Sequence, residues 1–254
     1  MTVIHPNLAG GIGAKAGTFN VLIDCTTPSL VYCVGADAEL CFPAEYEQAP
    51  DITSPQIIWI LNNYYPAVPG MPSELSTDVE RKAAVQLAIW HFSDGIDIST
   101  GGNDPLVFAA ANAIIAAAQT AAVPATPTSI VLTPPYVSPP APGSPVTVTA
   151  TVYDQNGVPM PNVPLHYAIA HVGAGDGFTD ANGQFTVSWI EAGNDVLTFT
   201  VNYTIPIGLR WTLEGCQDLI QGVTVPGRLI ATWGEEQLVG TEGSTWGAIK
   251  GLYR

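Results

Sequence analysis

A proline- and threonine-rich break divides the sequence into two parts of different character, and this break limits the folds the chain can adopt. The segment QTAAVPATPTS (Gln119 to Ser129) loses the hydrophobic periodicity that both of its flanks show. Long helical patterns precede it, and short alternating segments follow it. The sequence therefore predicts two domains, residues 1–123 and 124–236, and a C-terminal tail over residues 237–254.

The part after the break predicts an all-β domain. PVTVTATVY (145–153) alternates strictly, with three valines and Ala150 on one face and threonines on the other. Turn signals, DQNG and DANG among them, separate further short segments. These further predicted strands are Pro164–Ala170, Gln184–Ile190, Asp195–Thr204, Gly208–Leu213 and Arg228–Trp233. About seven short strands at this spacing indicate a β-sandwich of immunoglobulin type.

The part before the break predicts a mixed α and β domain. Thr18–Asp24 and Ser29–Gly35 have strand patterns on either side of a turn. Three segments have helical patterns with N-cap signals: Ser54–Pro66, Ser76–Phe92 and Asn103–Thr120. The second begins with a capping box, and its C-terminal half is apolar on nearly all sides, which predicts a buried helix.

Composition excludes several classes of function. Charged residues make up 11% of the 254, and the net charge is -15 with seven basic side chains, so no basic patch for nucleic acid can form. The longest apolar stretch, Leu106 to Val123, contains Asn112 and Gln119 and predicts a buried helix rather than a membrane span. The start MTVIHPNLAGG lacks a signal-peptide pattern, and the C-terminus lacks a sorting motif.

Two residues are uninformative when each is considered alone but indicate a function when they are considered as a pair. Gln86 lies in the apolar helical run and Cys33 in the apolar strand VYCV. Taken singly, Gln86 is most simply interpreted as a buried glutamine bonded to backbone groups, and Cys33 as a buried small hydrophobic residue.

The blocks VYCV, IIWILNNYYP and AAVQLAIWHFSDG, in this order, resemble the thioester domains of Gram-positive surface adhesins and ancillary pilins. The resemblance covers roughly Gly17 to Thr120, with Val85 as a minor departure from the threonine that many members have. It implies an α+β thioester domain, a β-sheet or barrel with a helical subdomain, in which Cys33 and Gln86 form an internal thioester. VYDQNGVPMPNVPLHY and FTDANGQFTVSW resemble bacterial immunoglobulin-like domains of adhesins, which implies a stalk.

The thioester hypothesis assigns further roles. A thioester hydrolyses in water, so we expect Tyr32, Ile89 and Trp90 to shield it. We expect the site to lower the Cys33 pKa below its ordinary value of about 8.5 and backbone N–H groups, not locatable from sequence, to stabilise the oxyanion. His91 is five positions from Gln86, about 140° around a helix, and is expected to have a structural role.

The remaining cysteines suggest one disulfide without fixing its partners. If Cys33 is in the thioester, one of Cys25, Cys41 and Cys216 is left without an intramolecular partner. No cysteine pair has CxxC spacing and the histidines are scattered, so we expect neither a metal site nor a cofactor.

The sequence thus predicts an extracellular, monomeric surface adhesin of the cell surface or cell wall, with its signal and anchor outside this chain. It would bind a surface protein or other amine-bearing ligand covalently, through a target lysine, in a single turnover rather than as an enzyme. Two alternatives stay open. One is a non-covalent structural or carbohydrate-binding module using Tyr64 and Tyr65; the other is a cysteine hydrolase using Cys33 and His91.

Overall fold

The computed structural model describes residues 1–4, 14–36, 38–99, 102–121 and 124–234. The predicted tail over residues 237–254 lies outside this range. The chain forms two compact units. The first comprises Met1–Val123 with Pro206–Val225, and the second comprises Pro124–Ile205 with the described residues from Pro226 onward.

The first unit combines a sheet with three helices. Its strands are β1 (Thr2–Val3), β2 (Ala14–Lys15), β3 (Phe19–Ile23), β4 (Thr27–Val34) and β5 (Glu47–Ile52), joined by parts of β11 (Leu197–Thr212) and β12 (Asp218–Trp233). In the larger sheet the strand order is β3-β4-β12-β11, and β5 pairs with β11. The helices are α1 (Pro55–Asn63), α2 (Asp78–Asp94) and α3 (Pro105–Thr120).

The helices begin at the predicted caps. The Ser54 side chain accepts from the Ile57 N–H at the start of α1, and Asp104 accepts from the Val107 N–H at the start of α3. Thr77 and Glu80 form a complete capping box on α2, which ends at Gly95 in the left-handed conformation. Local capping chemistry therefore fixes where each helix starts.

The main core of the first unit lies between the helices and one face of the sheet. Tyr32 and Val34 of β4 and Ile220 of β12 contribute side chains to it, together with the buried run Ala83–Trp90 of α2. Strand alternation places Val31 and Cys33 on the other face of β4, in a separate small cluster with Leu219.

The second unit contains two sheets around one core. Its remaining strands are β6 (Pro127–Thr133), β7 (Pro145–Asp154), β8 (Pro164–Ile169), β9 (Gly173–Phe178) and β10 (Gln184–Ile190). One sheet has the order β10-β7-β6; in the other, β11, β8 and β9 follow β12. Buried side chains from both sheets, such as Val148 and Phe199, form one cluster. The immunoglobulin-type assignment stays a prediction.

The structure places residues 206–225 in the first unit, whereas the sequence prediction assigned them to the sandwich. The prediction had two separate strands here, Asp195–Thr204 and Gly208–Leu213, and Pro206 between them cannot donate to a ladder. In the structure β11 continues past this proline, and its C-terminal part pairs with β5. Leu219 of β12 likewise pairs with Cys33 of β4, so the candidate site contains a residue far along the chain. The strands β1, β2, β5, β6 and β9 were not predicted.

Close packing of α1 on β12 leads to a stability prediction. A Cβ atom added at Gly222 would lie 2.6 Å from the Leu61 carbonyl oxygen, which belongs to the helix backbone and cannot rotate away. Gly222→Ala should therefore lower the free energy of unfolding by about 1–3 kcal/mol. Thermal and denaturant unfolding should show this loss, whereas Thr224→Ala at an exposed position of the same strand should stay within about 0.5 kcal/mol of wild type. Equal unfolding midpoints for the two variants would contradict this packing.

Candidate functional site: a cysteine and a glutamine paired through the backbone

Cys33 lies near the end of β4 and pairs with a strand on one side only. Leu219 of β12 is its cross-strand neighbour, and on the other side the pairing of β3 with β4 ends at Phe19 and Val31. The next polar groups along that edge are the N–H and C=O of Cys33. Since Cys33 is 1% exposed, these groups need a partner other than bulk water.

The Gln86 side chain supplies both bonds. The Cys33 N–H donates to Gln86 Oε1 at 3.0 Å, and Gln86 Nε2 donates to the Cys33 carbonyl oxygen at 2.7 Å. The carboxamide thus takes the place of another strand residue at the point where β3 has ended. Two bonds to one residue fix both the position and the plane of the amide.

Helix α2 carries Gln86 to this edge. Every residue from Ala83 to Trp90 is buried, and Gln86, which is 0% exposed, is the polar member of the run. A purely structural glutamine would also bond to backbone groups, as the simpler interpretation states. That interpretation does not explain why its partner is the residue carrying a buried free thiol.

The arrangement suits attack by sulfur on the carboxamide carbon. The carboxamide carbon is covalently bonded to Oε1 and Nε2, and both of these atoms are hydrogen-bonded to Cys33. The carbon therefore lies beside the Cys33 backbone. The carboxamide follows the hydrogen-bonding direction of the sheet, whereas a strand side chain stands roughly perpendicular to the sheet. The thiol can therefore approach a face of the planar amide, the direction from which a nucleophile adds to a carbonyl.

The Cys33 N–H lies where negative charge would develop. Oε1 becomes an oxyanion when the carbon turns tetrahedral, and a fixed donor at 3.0 Å stabilises that charge. The sequence hypothesis required such a donor but could not locate it, because a backbone N–H has no signature in a side-chain pattern.

The pKa of Cys33 differs from the sequence expectation. Burial raises the pKa of this thiol to about 12, because a thiolate here would lose its hydration. The sequence argument expected a lowered value on the assumption that a thiolate must form first. The site instead favours a neutral thiol, so bond formation must be coupled to proton transfer.

The three predicted shielding residues are buried, but on the helix side of β4. Tyr32, Ile89 and Trp90 all belong to the main core, and the Tyr32 hydroxyl donates to the Tyr65 carbonyl oxygen at 2.6 Å. Their shielding role stays a prediction.

A different set of residues surrounds the Cys33 side chain. Its cluster contains Val31 and Leu219, with partly buried residues packed against them: Phe19, Val21, Leu40, Tyr46 and Trp211. Strand alternation could have shown from sequence that adjacent Tyr32 and Cys33 face opposite ways. Leu40 and Tyr46 come from a loop and Trp211 from one distant strand, and none of them had such a signal.

Cys41 and Cys216 form a disulfide, with their Cα atoms 5.7 Å apart. The sequence left this pairing open. Cys25 is exposed and has a free thiol. The bond joins the loop that follows β4 to the turn between β11 and β12, next to the strands that hold Cys33 and Leu219.

The residues behind the two alternatives make contacts of their own in the structure. His91 Nδ1 lies 2.9 Å from the Ile96 carbonyl oxygen, so the ring ties down the end of α2. The Tyr64 ring packs against Trp59, and the Lys82 ammonium lies 5.3 Å from the centre of the Tyr65 ring. Among the described residues, no group of three or more His, Cys, Asp or Glu side chains could hold a metal ion. Within the same residues, no helix has the length and hydropathy to cross a membrane.

The family model described as "Thioester domain" matches residues 30–120, a range that includes both Cys33 and Gln86. The match confirms, for this segment, the similarity to thioester domains that its sequence blocks had suggested.

Two solved structures are similar to this chain. The structure titled "The Bacillus anthracis TIE protein" has a TM-score of 0.57 and 14% identity, with 82% of this chain and 42% of that chain covered. "Thioester domain of the Enterococcus faecium TIE86 protein" has a TM-score of 0.48 and 14% identity, with 91% and 95% covered. The first similarity shows a shared fold, and the present chain spans 42% of the length of that protein. No curated protein matches the sequence.

The raised pKa of Cys33 predicts the reactivity of the free thiol. In a Cys25→Ser/Gln86→Ala variant Cys33 keeps a thiol, and its alkylation rate should rise about tenfold per pH unit between about pH 8 and 11. The reason is that the thiolate fraction keeps increasing up to a pKa of about 12. Iodoacetamide labelling followed by mass spectrometry measures this profile, with circular dichroism at each pH to verify folding. A plateau near pH 9, as for an exposed thiol, would contradict the burial argument.

Proposed function

We propose that this chain is the exposed part of an extracellular surface adhesin of a Gram-positive bacterium, and that it attaches covalently to a target amine through a thioester between Cys33 and Gln86. The observation that carries the proposal is the pair of hydrogen bonds that fixes the Gln86 carboxamide on the Cys33 backbone. The thioester domain match over the same residues supports it.

Bond formation would proceed by acyl transfer within the site. The Cys33 sulfur bonds to the Gln86 carboxamide carbon, and the Cys33 N–H stabilises the oxyanion. The carbon–nitrogen bond then breaks, and the thiol proton leaves with the nitrogen as ammonia. The Cys33 carbonyl oxygen, 2.7 Å from Nε2, orients the leaving nitrogen throughout. Ammonia diffuses away, which favours the thioester.

Attachment would be the same transfer to a new acceptor. A lysine amine of the target adds to the Gln86 acyl carbon, the carbon–sulfur bond breaks, and an isopeptide bond remains. The amine proton moves to the Cys33 sulfur. Burial favours this product, because it raises the pKa of the Cys33 thiol to about 12 and so favours its protonated form.

The site suits one turnover better than hydrolysis. A cysteine hydrolase needs a base beside its nucleophile, whereas the His91 ring is bonded at the end of α2 to Ile96. The acyl group belongs to the chain itself, so the reaction consumes Gln86. We therefore regard the protein as a covalent binding device and not as an enzyme.

One further feature supports an extracellular adhesin, and a second concerns competing amines. The Cys41–Cys216 disulfide fits an oxidising compartment. The second unit, which we propose to be an immunoglobulin-like stalk, has no lysine, since none occurs between Lys82 and Lys250. The stalk therefore contains no amine with which to form a lysine isopeptide bond of its own or to compete for the thioester.

Intact mass tests the thioester directly. Freshly purified protein should be lighter than its sequence by one ammonia beyond the two hydrogens of the disulfide, because the amide nitrogen has left. Cys33→Ala and Gln86→Ala should each abolish this deficit, and Cys25→Ser should preserve it. A wild-type mass that includes the full amide would end the thioester proposal.

Reaction with amines tests the attachment step. Incubation with methylamine should give an adduct at Gln86 and release the Cys33 thiol, because an acyl thioester is far more electrophilic than an amide. Peptide mapping locates the adduct, and the Cys33→Ala variant should form none. Adducts of equal yield in that variant, or at other residues, would show that the mechanism is wrong.

A further inference from the structure

The two sides of β4 offer very different barriers to a molecule approaching the site. On the helix side lies the main core, with Ile89 and Trp90 completely or almost completely buried. On the Cys33 side the buried members of the cluster are Val31, Cys33 and Leu219, and the residues that pack over them are partly exposed. The cover on this side is therefore one layer thick.

A loop without regular structure contributes to this cover. Residues 38–46 form neither helix nor strand, and their side chains Leu40 and Tyr46 pack against the Cys33 cluster. Segments whose backbone is not part of a helix or sheet open at lower free-energy cost than the elements of a core. This loop, which we call the Cys41 loop, is therefore the part of the cover that can move most easily.

Specific bonds hold the Cys41 loop closed. The Cys41–Cys216 disulfide joins it to the turn before β12, and the Gln217 N–H donates to the Glu39 carbonyl oxygen at 2.9 Å. Within the loop, the Cys41 N–H donates to the Tyr46 hydroxyl at 3.4 Å. Tyr46 is thus held at one end by the residue that forms the disulfide, while its ring covers the Cys33 cluster.

We propose that the Cys41 loop is the gate through which an amine reaches the Cys33–Gln86 site, and that Tyr46 determines which amines pass. The proposal rests on the proposed function, in which Gln86 is the acyl donor. The disulfide keeps the gate mostly closed, so water and small solutes enter slowly. A target that binds at the loop displaces Tyr46 and brings its lysine to the acyl carbon.

Access to Cys33 can be measured without the thioester. In the Cys25→Ser/Gln86→Ala background Cys33 is the one free thiol, and its alkylation by iodoacetamide reports how often the cover opens. At a fixed pH, adding Cys41→Ala/Cys216→Ala or Tyr46→Ala should raise the labelling rate about tenfold or more. Tyr46→Phe keeps the ring but loses the hydroxyl, so a smaller rise is expected.

The matched control changes the opposite side of β4. Ile89→Val removes one methyl group from the helix side and should leave the labelling rate within about twofold of the background. Near-ultraviolet circular dichroism identifies any variant that has lost its fold. For such a variant, the disulfide of the folded background protein can be reduced with a phosphine that is then removed, and peptide mass spectrometry measures the labelling of Cys33 apart from that of the freed Cys41 and Cys216 thiols.

The outcomes separate the two proposals. Unchanged labelling after the loop changes, or an equal rise in Ile89→Val, would overturn the gate. In protein that retains Gln86, methylamine and a lysine-containing peptide form adducts at different rates. The loop variants should make these two rates of adduct formation more similar. If the difference between the two adduct rates stays the same and the wild-type mass is lower by one ammonia, the gate proposal is wrong and the thioester proposal is retained. If the deficit is absent in wild type, the proposed function fails and the gate fails with it.

Discussion

The two hydrogen bonds between the Gln86 carboxamide and the Cys33 backbone are the interaction on which the candidate site depends. They satisfy the backbone groups at the edge of the sheet, and they also position the atoms that would react. The edge of β4 beyond the end of β3 needs a donor and an acceptor, and the amide provides both. The same contact holds the acyl carbon beside the thiol and places an N–H at its oxygen. Positioning for reaction is therefore a by-product of completing the sheet.

Burial has a comparable double effect. It excludes water, which would destroy an acyl thioester, but it also raises the pKa of Cys33 to about 12 and so removes the thiolate that a simple mechanism would use. The chemistry that fits this site transfers a proton with each bond change. A neutral thiol is then both the starting nucleophile and the stable product of attachment.

Much of the first unit could be predicted from sequence because its signals are local. The caps Ser54, Thr77 and Asp104 fix the helix starts, and the two blocks around Cys33 and Gln86 belong to a recognisable pattern. The contacts made by Trp211 and Leu219 could not be predicted. They depend on two long strands passing through segments with Pro206 and Gly222, where propensity favours a break. The disulfide partners were undecided for the same reason, since sequence separation carries no information on spatial proximity.

The position of the Cys41–Cys216 disulfide along the chain has a mechanical consequence. Cys41 precedes Gln86 and Cys216 follows it, so the bond encloses the residue to which a target would be attached. Tension between Gln86 and the chain beyond Cys216 has two covalent routes, one through all the residues between them and one back through Cys41. The route through Cys41 contains far fewer residues, so it becomes taut first if the fold yields. The disulfide therefore limits how far the chain between the attachment point and the C-terminal part can extend under load.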